Sequence, residues 1–162
     1  MRCTTLLSLT GLCLWQCATP AHALIIHHTE PRRMDAIAFT RFGELLGLRG
    51  IADPTRVVLF NDSKSKKGLF FETELDTQVS QLPAGSVAVL EIITEDEKQP
   101  IEFKYPIPTV KSSAKALYLG VTSEPFNTTE RKELPRLLAW RVSILNAKGE
   151  VLARAPSAVW GR

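Results

Sequence analysis

Cysteine is nearly missing from this chain: its three copies, Cys3, Cys13 and Cys17, all fall close to the N-terminus. Residues 24–162 therefore have no thiol for catalysis, for a disulfide or for a metal site, and a small exported domain built from them must be held by core burial alone. Histidine is almost as scarce, with only the adjacent His27 and His28 beyond His22. Long hydrophobic runs are also missing. The apolar stretch near the N-terminus is shorter than the about 20 residues of a membrane-spanning helix, and no later segment matches it. Excess charge of one sign is lacking too. The chain carries 20 basic and 17 acidic residues, so without Arg2 the balance is 19 to 17. The short basic groups at Arg32-Arg33, at Lys64, Lys66 and Lys67, and at Arg131-Lys132 read as solvated loops and not as a nucleic-acid groove, which needs a larger, aromatic-interleaved stripe. No GxSxG elbow, glycine-rich phosphate loop, HExxH zinc motif or internal repeat occurs.

What is present begins with a leader. Arg2 precedes the apolar residues Leu6, Leu7, Leu9, Leu12, Leu14 and Trp15, and Ala21-His22-Ala23 supplies the small residues that a signal peptidase requires. Residues 1–23 thus read as a cleavable secretory signal peptide, and the mature chain is expected to start at Leu24, in the periplasm or outside the cell. Its length suits one domain.

From Arg56 onward the apolar residues alternate, the period that places successive side chains on opposite faces of a strand. Val57, Val58, Leu59 and Phe60 form an apolar run that predicts a strand buried on both faces or at a sheet junction. After a lysine-rich turn to Gly68, Leu69, Phe71, Thr73 and Leu75 share one face. Phe70, Glu72, Glu74 and Asp76 share the other, which is expected to face water. Leu82-Pro83-Ala84-Gly85 makes a turn before Val87, Val89, Leu90, Ile92 and Ile93, a β-branched set that predicts a central strand. Ile101, Phe103, Tyr105 and Ile107 alternate with Glu102, Lys104 and Pro106, and the proline predicts that the strand lies at an edge or ends there. Leu117, Leu119 and Val121 mark a further strand. Leu138, Trp140, Val142 and Ile144 then share a face, and Val151, Ala153 and Ala155 continue it after a turn at Gly149.

Seven strands over residues 56–162, with turns at this spacing, predict a single antiparallel β-sandwich. The order and the final Trp140-Arg141-Val142-Ser143-Ile144 hairpin resemble the immunoglobulin-like and fibronectin-III-like superfamily; the disulfide pattern of antibody domains is absent. Residues 24–55 read as an N-terminal extension. Asp35 is placed to cap a short helix carrying Ala38, Phe39, Phe42, Leu45 and Leu46, and the alternative is an extra edge strand over residues 36–41.

Candidate chemistry is sparse. His27 and His28 lack a third ligand, and a copper site on a freed Leu24 amine, two amides and His27 is the one metal arrangement the sequence offers. Glu95, Asp96 and Glu97 fit a solvated turn better than a calcium loop, and Glu72, Glu74 and Asp76 fit the wet face of a strand. Trp140, Trp160, Tyr105 and Tyr118 form the aromatic set available for sugar stacking, but Trp140 shares its face with core residues and Trp160 suits an anchor of the last strand. Asn61-Asp62-Ser63 and Asn127-Thr128-Thr129 match the N-glycosylation pattern. The expectation is a noncatalytic exported module without a cofactor or metal, contacting a protein or another cell-envelope component. A carbohydrate-binding module is the first alternative and a small secreted hydrolase the second.

Overall fold

A computed structural model describes residues 23–35, 56–62, 64–109, 113–127 and 135–161 of the 162-residue chain. They form a β-sandwich of eight strands: β1 (Ile26–Asp35), β2 (Arg56–Phe60), β3 (Lys67–Leu75), β4 (Val87–Thr94), β5 (Ile101–Pro106), β6 (Ala116–Val121), β7 (Leu137–Leu145) and β8 (Val151–Pro156). One sheet has the order β1-β3-β6-β2 and the other β5-β4-β7-β8. Between them lie Leu69, Phe71, Leu117 and Leu119 from the first sheet and Leu90, Ile92, Tyr105 and Val142 from the second, all buried. β4 is central, as its β-branched residues predict, and β5 is an edge strand that ends at Pro106.

The expected strand count was one short. β1 arises within the segment read as an N-terminal extension and pairs along β3 from Ile26 opposite Leu75 to Asp35 opposite Lys67, so the sandwich begins well before residue 56. Its sequence, with two histidines, a proline and two arginines, has no apolar alternation and gave no strand signal. The proposed helix or edge strand after Asp35 lies outside the described residues, as does most of the leader. Nor is the sandwich wholly antiparallel: β2 runs parallel to β6. β2 is also an edge strand of its sheet and not a strand at a sheet junction.

Two register irregularities overturn the faces expected for Leu138 and Val151 in the last hairpin, while Trp140, Val142 and Ile144 keep the core face. Between Ile93 and Thr94 the pairing with β7 passes from Ala139 to Leu137, so Leu138 is the extra residue. It is 47% exposed, and Leu137 packs on the core instead. A second irregularity sets Ala153 opposite Ile144 but Val151 opposite Leu145. Val151 is thereby turned out, 48% exposed, while Leu152 meets the core. One inserted residue reverses the parity of every side chain beyond it.

The face of β3 expected to be wet is apolar at its middle. Phe70 and Tyr118 are buried there with Met34, Val58 and Phe60 beside them, and the Phe60 and Phe70 rings meet edge to face at 6.0 Å. On the inner face, the hydroxyls of the cross-strand pair Thr29 and Thr73 have no hydrogen-bond partner among the described residues. Thr73→Val should therefore raise the free energy of unfolding by about 1 kcal/mol, because a methyl fills the space without the desolvation penalty. A fall in the urea midpoint would instead show that the hydroxyl is bonded.

Candidate functional site

A groove of about 640 Å3 lies at the end of the sandwich where β1 and β8 begin. Its apolar lining comes from Leu24, Leu82, Pro83, Val151 and Leu152, and its polar lining from Asp76, Thr77 and Gln81. Local chemistry sets these positions. β3 ends at Leu75, and a 3-10 turn, Val79–Gln81, follows with Val79 buried as its plug. The Gln81 Oε1 accepts the Thr77 hydroxyl at 2.6 Å and the Gln78 N–H at 3.3 Å, which folds the turn back on itself. The Val79 N–H donates to the Ala114 carbonyl at 2.8 Å and ties the turn to the approach of β6. Ile25 is clamped to Asp76 by two bonds: its N–H donates to Asp76 Oδ1 at 3.2 Å, and the Asp76 N–H donates to the Ile25 carbonyl at 3.0 Å. The Lys115 Nζ donates to the Asp76 carbonyl at 3.2 Å. Ile25 and Val151 remain 49% and 48% exposed.

Nothing in the sequence marked this groove. Leu82-Pro83 read only as a turn and Asp76 only as the wet side of β3. The contact that fixes its wall joins residues 51 positions apart.

A second, smaller cleft of about 260 Å3 lies on the outer face of the first sheet, lined by His28, Glu72, Glu74, Lys115 and Ala116. Beside it runs a row of ion pairs. Arg32 bonds Glu30 at 2.9 Å and reaches Glu72 at 3.3 Å, with His28 at 3.6 Å from Glu30. The Arg32 guanidinium holds the Glu30 carboxyl below its ordinary range. Glu72 is less solvated than expected, with its side chain 25% exposed, and its Oε1 accepts the Tyr118 hydroxyl at 2.5 Å. His27 and His28 lie within β1 and are exposed. His28 pairs with Glu74, and His27 is the extra residue of an irregularity in β1. Among the described residues, no group of three or more His, Cys, Asp or Glu side chains is arranged to hold a metal ion.

The aromatic candidates are dispersed. Trp140 points inward and meets Phe71 edge to face at 6.0 Å between centroids. Trp160 lies at the other face of the same sheet, 4.6 Å from the Arg141 guanidinium carbon, and Arg141 in turn forms a bidentate pair with Glu91 at 2.5 Å. That stack and the Ser157 N–H bond to the Trp140 carbonyl at 2.8 Å fasten the C-terminal turn to β7. Tyr105 is buried and donates to the Gly120 carbonyl of the facing sheet at 3.2 Å. Glu95, Asp96 and Glu97 form an exposed turn at the far end from the groove. Asn61 is committed to the fold: it accepts the Thr122 N–H at 2.7 Å and donates to Ser123 Oγ at 2.7 Å, leaving its amide nitrogen already engaged.

The two tyrosines, the only ones in the chain, give a pH signature. Burial pushes the Tyr105 phenol well above its ordinary value, and burial together with the hydrogen bond to Glu72 pushes Tyr118 up to about 12. An unfolded phenol ionises near pH 10, roughly the model-peptide value. These groups thus favour the folded chain fully below that pH, and the contribution is lost as pH rises through the folded values. Phenolate absorbance should be nearly absent from the folded protein at about pH 10.5 and appear on adding denaturant, given ordinary unfolded values. Half-ionised tyrosine in the folded protein at that pH would show that one ring is solvated.

Among the described residues no helix is long and apolar enough to cross a membrane. Comparisons with protein-family models, curated proteins and solved structures found no match for this chain.

Proposed function

We propose that the chain is exported, cleaved after Ala23, and works in the periplasm or outside the cell as a noncatalytic immunoglobulin-like module that binds a protein or another envelope component through the groove beside its N-terminus. The observation that carries this reading is the groove itself, where apolar side chains from the segment before β1, from β8 and from the turn before β4 surround a few polar groups, with Ile25 beside them and Val151 among them both exposed. Concave apolar surface with few convergent polar groups is the ordinary form of a binding site. Export is supported by the AHA triplet and by the exposure of Ala23 beside Leu24, which packs on the core. The immunoglobulin-like reading is supported by strand order. β1-β3-β6 corresponds to A-B-E and β5-β4-β7-β8 to C′-C-F-G, although β2 takes the place of D from an earlier point in the chain. Among the described residues no assembled aromatic strip favours sugar stacking, since Trp140 and Trp160 lie at opposite faces of one sheet.

A photo-crosslinking residue at position 151 tests the reading in the exporting cell, with position 98 in the opposite end turn as the control. The expected result is one defined adduct from position 151, lost when Ile25→Asp is added. Adducts only from position 98, or binding to purified glycan that Ile25→Asp leaves unchanged, would count against the groove as the contact surface.

A further inference from the structure

We propose that Asp76 is the receptor for the α-ammonium group that cleavage after Ala23 creates on Leu24. The inference rests on the reading of the chain as an exported, processed protein. In cleavage, water adds across the Ala23–Leu24 peptide bond, leaving a carboxylate on Ala23 and a protonated amine on Leu24. A neutral amide nitrogen thereby becomes a cation, and the groove meets it with an anion.

The position of that nitrogen is set by its neighbours. The two hydrogen bonds between Ile25 and Asp76 hold the Ile25 backbone against the end of β3. Leu24, one residue earlier, packs its side chain on the core. Its nitrogen is thus confined between a packed side chain and a clamped amide. Ala23, Leu24 and Asp76 all line the groove, where Asp76 is the single ionisable side chain among the described lining residues. Lys115 reaches the same residue at its main-chain oxygen. The charged or titratable residues next in sequence to the lining segments are His27 and His28 on β1, Glu74 on β3 and Glu150 just before β8. His28 and Glu74 line the separate cleft with Lys115.

The exported chain is purified and its intact mass identifies the first residue. The Leu24 amine is then titrated by NMR in the parent and in Asp76→Asn, whose amide oxygen can still accept the Ile25 N–H. The expected result is a chain starting at Leu24 whose amine titrates about one pH unit above the ordinary chain-end value of roughly 8, and returns to that value in Asp76→Asn. A raised folded value means that the pairing stabilises fully below about pH 8 and is lost as pH rises through the folded pKa. The gap in urea midpoint between parent and Asp76→Asn should therefore close between about pH 7 and 10. A different first residue overturns the processing reading and this inference together. A chain starting at Leu24 whose amine titrates alike in both proteins overturns the inference alone.

Discussion

Phe71→Ala should lower the free energy of unfolding by about 3 to 5 kcal/mol, the range for deleting a fully enclosed aromatic side chain from a core that relaxes only in part. Phe71 is 0% exposed at the centre of the first sheet's inner face, and its ring packs edge to face on Trp140 from the opposite sheet. Removing it leaves a void bounded by both sheets. Trp140→Ala should cost less, about 2 to 3 kcal/mol, because Trp140 is only half-buried and falls short of the fully enclosed case. Urea unfolding of both variants with matched slopes gives the comparison. The ranking fails if Trp140→Ala proves the more damaging, which would mean that Trp140, and not Phe71, closes the space between the sheets.

Gly68→Ala should be nearly as severe, at about 3 kcal/mol, the upper end of the usual overpacking range. A Cβ at this position would lie 2.2 Å from the Val121 carbonyl oxygen and 3.1 Å from both the Thr122 Cα and the Phe126 carbonyl oxygen. All three are main-chain atoms, so relief requires moving β6 and the loop after it. Gly149 is the contrasting case. Its φ of 81° is left-handed, but nothing lies within 4 Å of the added carbon. Gly149→Ala should therefore cost only the backbone strain of about 1 to 2 kcal/mol. Calorimetric unfolding of the two variants separates the mechanisms: Gly68→Ala should lose more stability, and a reversal would mean that β3 does not run against the exit of β6 so closely.

Gly68 also shows where reading the chain stopped short. It was legible as the end of a lysine-rich turn, because glycine and polar residues mark turns locally. Its structural reason is the approach of Val121, which is distant in sequence. Phe70 is a similar case. Lying beside Glu72 and Glu74 in the alternation, it was assigned to a wet face, yet it packs with Tyr118 and Phe60 in a second apolar cluster. Alternation tells which side chains share a face; it cannot tell what covers that face.

The candidate groove was less legible than the fold. Asp76, Leu82 and Val151 carry no motif, and each follows the rules of its own segment. Only the pairing of β1 with β3 brings Ile25 to Asp76, and only the irregularity in β8 turns Val151 outward.

The sequence by itself determined β2 to β8, the central place of β4, the edge place of β5 and the Gly149 hairpin. Side-chain alternation and turn chemistry are properties of a few consecutive residues, and burial of one face is enough to enforce them. The tertiary structure decided the rest: the entry of β1 into the sheet, the parallel pairing of β2 with β6, and the residues that meet in the groove. Strand pairing is stabilised by main-chain hydrogen bonds that every residue but proline can both give and accept. The choice of partner is therefore written in no single segment, and one extra residue in a ladder reverses which side chains face the core.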